Sequence, residues 1–103
     1  MSLLSFLRKR DPVSTTKPYR SEDGSSYFMF SFVWQGNYLD IYCLSHPPLN
    51  GRDPDPDKTY VFSDGKICVN AGREPRDQAR AEALAQRWAE HFLEYRRTGI
   101  AQH

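Results

Sequence analysis

The residues with the greatest capacity for chemistry in this chain are its two cysteines and the histidine beside one of them. Cys43 and His46 are spaced Cys-x-x-His, a spacing used at zinc sites, and Cys68 with His91 or His103 would complete four ligands. Structural zinc sites usually combine two paired motifs, and this chain has one. We therefore expect no metal site and no cofactor, and we assign Cys43 to the core.

Three aspartates imitate the start of a calcium-binding loop. Asp53, Asp55 and Asp57 alternate as the first ligands of an EF-hand do, but Lys58 stands where that loop needs glycine. No glutamate occupies the twelfth position of the loop. The pattern excludes calcium binding of the EF-hand type.

The aspartates belong to a proline-rich loop, residues 45–58, where we predict a binding site. Loops of this length are usually functional or disordered, and prolines at four positions favour an ordered loop. The candidate binding residues in this loop are His46, Arg52, Asp53 and Asp55.

Two predicted hairpins must position this loop. In the first hairpin, residues 27–34 and 38–44 are joined at Gly36-Asn37, and glycine suits the first central position of a type II′ turn. The register that follows brings bulky apolar residues to one face, as a buried sheet face requires. The opposed pairs are Trp34 with Leu39, Phe32 with Ile41 and Phe30 with Cys43.

The other face of this hairpin is mixed in polarity. It carries the candidate binding residues Met29, Val33, Tyr42 and Leu44. Single exposed apolar residues are normal on an outer sheet face, so this face is either ordinary surface or a surface that binds a partner. A second copy of the chain is one partner that would cover it.

The second hairpin is predicted across Asp64-Gly65, a pair typical of type I′ turns. Its strands are residues 59–62 and 67–70. This register places Phe62 opposite Ile67 and turns both side chains toward the core. Cys68 then lies on the other face, where it should be more accessible than the other cysteine.

A long amphipathic helix is predicted over residues 75–97. Pro75 suits its first turn, and Gly99 suits the left-handed position after its end. Apolar residues recur at three- and four-residue steps, which indicates one helix face laid on the sheet. These residues are Ala81, Leu84, Ala85, Trp88, Phe92 and Tyr95. The predicted fold class is α+β, with an antiparallel sheet of about four strands covered on one face by this helix.

The predicted domain organisation is simple. Residues 1–26 form a short helix and a linker, and residues 27–100 form a single α+β domain. Leucines among residues 2–10 share one helical face, and Pro12 ends that helix. Residues 11–26 have the Pro, Gly, Ser and Thr content of a linker.

A net charge of +1 gives no global reason to expect a polyanionic partner. Six arginines between positions 73 and 97 are offset by five acidic residues, so we expect no basic stripe on the helix. Nucleic-acid binding stays an alternative because basic side chains gather near the N-terminus. They are Arg8, Lys9, Arg10, Lys17 and Arg20.

Two cysteines are too few for a disulfide framework, and the N-terminal apolar run is too short for a signal peptide. No run approaches the roughly 20 apolar residues that span a bilayer. We expect a cytoplasmic protein with no membrane span.

The run from Tyr60 to Val69, which contains Cys68 and follows a proline-rich loop, resembles the catalytic-cysteine segment of E2-like ubiquitin-conjugating proteins. The resemblance implies a thiol enzyme with Cys68 as its nucleophile. The His-Pro-Asn tripeptide of those proteins is absent near Cys68, since His46-Pro47 lies far upstream and is followed by proline.

A wider resemblance covers about two thirds of the chain and links it to small uncharacterised bacterial proteins often found near mobile elements. It rests on His46-Pro47, Gly51-Arg52, Asp64-Gly65, Cys68, Ala83, Ala85, Trp88-Ala89, Tyr95 and Thr98-Gly99. That group has no established activity, so the resemblance implies no catalytic residues.

The sequence therefore favours a non-catalytic binding or regulatory module that acts on a protein partner or by self-association. A nucleic-acid-binding accessory protein is the first alternative. A degenerate E2-like thiol enzyme that uses Cys68 is the second.

Overall fold

A three-stranded antiparallel sheet and one long helix make up most of the computed structural model, which describes residues 14–101. The elements in chain order are β1 (Ser14–Arg20), β2 (Tyr27–Trp34), β3 (Leu39–Ser45), α1 (Pro56–Thr59) and α2 (Gln78–Thr98). The strand order is β1-β2-β3, and α2 packs against β2 and β3. The α+β class is confirmed, whereas the sheet has three strands and not about four. The predicted helix over residues 2–10 lies outside the described residues.

The hairpin of β2 and β3 has the predicted register. Trp34 opposes Leu39, Phe32 opposes Ile41 and Phe30 opposes Cys43. Gly36 has a φ of +105°, and the first central residue of the predicted turn requires a positive φ. All of these paired side chains are buried except that of Trp34, which is 37 % exposed at the end of the sheet.

The prediction of a linker over residues 11–26 is wrong for Ser14–Arg20. These residues form β1, which pairs with β2 from Ser14 opposite Val33 to Arg20 opposite Tyr27. The strand is exposed except at Tyr19, so it lacks the alternation that marks a buried strand. Pro18 argues against a strand in the sequence, but a strand at the edge of a sheet tolerates proline.

The predicted second hairpin is reduced to isolated bridges, and its register is wrong. Val61 opposes Ile67, because residues 63–65 form a three-residue loop in place of the predicted two-residue turn. Gly65 takes the left-handed conformation in this loop, with a φ of +91°. The one-residue shift moves Phe62 away from the core, and its side chain is 49 % exposed.

Helix α2 begins at Gln78, three residues later than predicted. The carbonyl oxygen of Pro75 accepts a hydrogen bond from the backbone N–H of Leu39 (2.8 Å), which holds Pro75 outside the helix. Asp77 is extended and caps the helix, since its carboxylate accepts the N–H of Arg80 (2.8 Å). Gly99 ends the helix in the left-handed conformation, as predicted.

The core lies between α2 and one face of the sheet. The Trp88 ring meets the rings of Phe28 and Phe30 edge to face, at centroid distances of 6.0 and 5.9 Å. Ala81, Ala85 and Ala89 are fully buried, so the helix approaches the sheet closely along its N-terminal half.

Candidate functional site

A groove opens along one side of α2, which forms its first wall. Its second wall is built from residues 58–60 and 67–70, and its cavity has a volume of about 440 Å³. We call this cavity the basic groove, because Lys58, Arg73, Arg80, Arg87 and His91 line it. None of the eight candidate binding residues named for the proline-rich loop and the sheet face lines it.

The floor of the basic groove is apolar. It is formed by Ile67, Leu84, Trp88 and Phe92. The indole N–H of Trp88 donates to the carbonyl oxygen of Thr59 (2.9 Å), which joins α2 to the second wall. Leu84 is half-buried and so presents apolar surface to the cavity.

The rim of the basic groove is cationic. Four lysine and arginine side chains and one histidine line the cavity, and no carboxylate does. Within residues 14–101, none of these five side chains makes a hydrogen bond or an ion pair. Like charges gathered around one cavity raise the local positive potential, and an anionic ligand would relieve their repulsion.

The cationic rim corrects the expectation that α2 has no basic stripe. Arg80, Arg87 and His91 are spaced seven and four residues apart, which places them on one side of the helix. Glu82 and Glu90 lie on the side that faces β1. The near-zero net charge of this segment hides the stripe, because the helical period places the cations and the carboxylates on different sides of α2.

The carboxylates on the acidic side of α2 are bound by β1 and the turn after it. Lys17 forms an ion pair with Glu82 (2.9 Å), and the Tyr19 hydroxyl donates to Glu90 (2.5 Å). The backbone N–H of Glu22 donates to the same carboxylate oxygen of Glu90 (3.0 Å). Burial, together with the Glu90 carboxylate, raises the pKa of Tyr19 to about 12.

The predicted binding residues of the proline-rich loop hold the loop against α2. Arg52 donates from Nε to the carbonyl of Arg96 (3.0 Å) and from Nη2 to that of Arg97 (3.0 Å), so it caps the helix C-terminus. The backbone carbonyl of Asp53 accepts the Tyr95 hydroxyl (2.8 Å).

Asp55 and His46 also have partners within the fold. Asp55 caps α1, since its carboxylate accepts the N–H of Asp57 (2.8 Å). The ring of His46 lies 4.7 Å from the ring of Phe92, and its Nδ1 is 2.7 Å from the carbonyl oxygen of Pro47. This proline-rich loop is therefore ordered by contacts that stabilise the fold.

The predicted sheet-face residues lie on the side of the sheet that faces away from α2. Met29, Val33 and Tyr42 are half-buried, and Leu44 is 58 % exposed. Within residues 14–101, neither helix covers this face.

The basic residues predicted to contact nucleic acid are not gathered into one surface within the described residues. Lys17 is paired with Glu82. Arg20 donates from Nε to the carbonyl of Gly24 (3.0 Å), and its guanidinium carbon lies 5.4 Å from the centroid of the Tyr27 ring. Arg8, Lys9 and Arg10 lie outside the described residues.

Cys68 lines the basic groove, but its surroundings do not activate it. Burial and the charge of Asp57 raise the pKa of the Cys68 thiol, although Lys66 opposes the shift. A nucleophilic cysteine needs a lowered pKa and an adjacent base, and in the described part of the chain no histidine is hydrogen-bonded to Cys68. Cys43 is buried more deeply, which raises the pKa of its thiol to about 12.

Residues 14–101 show neither a cluster of metal-binding side chains nor a helix suited to crossing a bilayer. Histidine, cysteine and carboxylate side chains there do not gather in groups of three or more that would hold a metal ion. Neither described helix has the length and apolar character needed to cross a bilayer.

Comparison of the chain with protein families, curated proteins and solved structures finds no match. The function must therefore be inferred from the geometry of this chain itself.

Proposed function

We propose that the protein is a non-catalytic binding module that holds an anionic partner in the basic groove. One observation carries the proposal: four cationic side chains and a histidine surround an open cavity with an apolar floor and no lining carboxylate. Lys17 and Arg97 are paired with counter-charges here, whereas the five side chains of the rim form no ion pair within residues 14–101. A rim without them is suited to a partner that supplies them.

The non-catalytic character rests on how the reactive residues are used. Arg52, Asp53 and Asp55 stabilise the C-terminus of α2 and the proline-rich loop. Cys68 has a raised thiol pKa. A thiol enzyme requires a cysteine and a base within hydrogen-bonding reach of each other, and within residues 14–101 no histidine is hydrogen-bonded to Cys68.

The first alternative is a nucleic-acid-binding accessory protein, which the same rim would serve. The observation in its favour is the row of Arg80 and Arg87 along α2, since phosphate contacts are made by such side chains. Binding through the sheet face of Met29, Val33, Tyr42 and Leu44 is a separate proposal that does not involve the groove.

The test is binding of the full-length chain to three anionic probes, namely polyglutamate, polyphosphate and single-stranded DNA, at low and high salt. At least one probe should bind, and its affinity should fall at least tenfold in the variant Arg80→Glu/Arg87→Glu. The matched control is Arg76→Glu/Arg97→Glu, which changes the net charge equally at residues that do not line the groove.

Binding that is equal in the two double variants would show that total charge, and not the groove, determines affinity. The proposal would also be overturned if none of the three probes bound to the wild-type chain at low salt. Circular dichroism of each variant establishes that the fold is retained.

A further inference from the structure

We infer that the occupant of the basic groove is a short acidic segment of another protein, in which apolar side chains alternate with glutamate or aspartate. The inference rests on the proposed function and adds the chemical class of the partner. Three features carry it: the apolar floor, the burial of the groove's large rings, and the spacing of the cations along α2.

The apolar floor requires more than charge in the ligand. Leu84 and Val69 are half-buried apolar side chains that line the groove together with the cations, whereas Ile67 beneath them is 4 % exposed. A free anion would bind to the rim and leave this apolar surface in water. A ligand that fills the floor with an apolar side chain gains about 25 cal/mol for each Å² that it removes from water. The cationic rim would then attract acidic ligands in general, and the apolar floor would select those that carry an apolar side chain.

The two rings of the floor are poorly placed for stacking with bases. The side chains of Trp88 and Phe92 are 7 % and 2 % exposed, so their faces are occupied by the core. The indole N–H of Trp88 is occupied by the carbonyl of Thr59. Proteins that bind single-stranded nucleic acid present successive aromatic faces to the bases, and this floor presents aliphatic side chains and ring edges.

The spacing of the cations matches an extended peptide. Arg80 and Arg87 are separated by seven residues of helix, or about 10 Å, and Arg80 and His91 by about 16 Å. An extended chain advances about 3.3 Å per residue, so five or six residues span the row. Side chains alternate between two directions in such a chain. Apolar residues can therefore face the floor while acidic residues face the rim.

The N-terminal segment of this chain does not have the required charge. Residues 1–13 contain Arg8, Lys9 and Arg10 against a single acidic residue, Asp11. A basic segment would add to the repulsion within the rim. Charge complementarity therefore points to a segment of a different protein.

The experiment compares two labelled seven-residue peptides by fluorescence anisotropy with the full-length chain. One peptide alternates glutamate with leucine, and the other alternates glutamate with serine, so both carry the same charge. We expect the leucine peptide to bind at least tenfold more tightly than the serine peptide. Arg80→Glu/Arg87→Glu should lower the affinity for the leucine peptide at least tenfold, and Arg76→Glu/Arg97→Glu should change that affinity less than twofold.

A floor variant separates the apolar contact from the charge. Leu84→Ser should remove most of the preference for the leucine peptide and leave the affinity of the serine peptide unchanged. Because Leu84 is half-buried, thermal unfolding is measured alongside; if Leu84→Ser unfolds at the assay temperature, the milder Leu84→Ala replaces it.

Each remaining outcome decides between the two proposals. Equal binding of the two peptides overturns the inference and leaves the anion-binding function intact. Tight binding of single-stranded DNA, with neither peptide bound, also overturns the inference and supports the nucleic-acid alternative. Failure of every anionic probe overturns the proposed function itself.

Discussion

Trp88 donates its indole N–H to the carbonyl oxygen of Thr59 across 2.9 Å, and the same ring packs on Phe28 and Phe30. Thr59 is the last residue of α1 and is itself buried. One side chain therefore belongs both to the core and to the boundary of the basic groove. Loss of this contact should affect stability and ligand binding together.

Replacing Trp88 by phenylalanine keeps an aromatic ring but removes the donor. The Thr59 carbonyl then loses its indole partner, and we expect the free energy of unfolding to fall by about 1–3 kcal/mol. Urea denaturation measures the change. The control is Trp34→Phe, at a tryptophan that is 37 % exposed, which should cost less than about 0.5 kcal/mol. Equal losses in the two variants would contradict the importance of the Thr59 contact.

The Arg52 cap on the end of α2 gives a second prediction. Arg52→Ala should lower stability by about 1 kcal/mol, because two backbone carbonyls lose a donor. Arg52→Lys should not restore the loss, since an ammonium cannot reproduce the two-pronged contact. Thermal unfolding monitored by circular dichroism compares the variants with the wild type.

Gly99 lies against the same guanidinium, so the two positions should be coupled. A Cβ built on Gly99 would lie 2.8 Å from Nη1 of Arg52, and Gly99 has a φ of +78°. Gly99→Ala should cost more in the wild type than in the Arg52→Ala background, where only the backbone penalty of about 1–2 kcal/mol remains. A double-mutant cycle measures the coupling, and additive losses would count against it.

A fourth prediction concerns the loop that replaced the predicted two-residue turn. A Cβ on Gly65 would lie 2.8 Å from the backbone carbonyl oxygen of Cys43, whereas one on Gly36 would meet nothing within 4 Å. Both glycines have positive φ, so both alanine variants carry the backbone cost. Gly65→Ala should lower the free energy of unfolding by about 1 kcal/mol or more beyond the loss in Gly36→Ala, since it also displaces β3 from the loop. Chemical denaturation of the two variants tests this difference.

The sheet could be predicted from sequence where its side chains alternate between core and solvent. Phe30, Phe32 and Ile41 follow the two-residue period, and a one-residue slip would have exposed all of them, so the register of β2 and β3 was predicted correctly. In β1, by contrast, only Tyr19 is partly buried, and hydrophobic periodicity carries no information about such a strand.

The candidate site was less accessible to sequence reasoning, for a different reason. The spacing of Arg80, Arg87 and His91 is readable as one helix side, but the cavity depends on the turn at Gly65 and on the shifted pairing of Val61 with Ile67. Conversely, Arg52 resembled a binding residue because nothing in the sequence shows that it caps a helix end 44 residues away.

The contact between Tyr19 and Glu90 predicts a loss of stability at high pH. The folded state raises the pKa of Tyr19 from 10.0 to about 12. The protonated phenol is therefore favoured by folding, and its contribution is complete below about pH 10 and lost as the pH rises toward 12. Urea denaturation across this range should show a smaller decline for Tyr19→Phe than for the wild type.

The same titration can be followed directly. Ultraviolet absorbance of the tyrosinate should show a high-pH transition that is missing in Tyr19→Phe. Glu90→Gln should move this transition to lower pH, because the nearby negative charge contributes to the shift. An unchanged transition in Glu90→Gln would show that burial alone raises the pKa.

The two cysteines should differ in reactivity toward a thiol reagent. Cys68 is half-buried and should react first, while Cys43 is 7 % exposed and should react only as fast as the protein unfolds. The pH dependence of the Cys68 rate should give a thiol pKa above the ordinary value. The reaction should therefore have a fast and a slow phase, and the variants Cys43→Ser and Cys68→Ser show which cysteine gives each phase. A lowered pKa at Cys68 would instead support the E2-like alternative.

Both edges of the sheet have features that discourage pairing with a strand of another molecule. At β1, Pro18 cannot donate a backbone hydrogen bond to an incoming strand, and Lys17 beside it adds charge. At β3, the N–H of Cys43 donates to the Gly65 carbonyl, and the Ile41 carbonyl accepts the N–H of Ile67. The proline and the exposed polar residues that hid β1 in the sequence are therefore the same features that discourage edge-to-edge pairing of this aromatic-rich sheet.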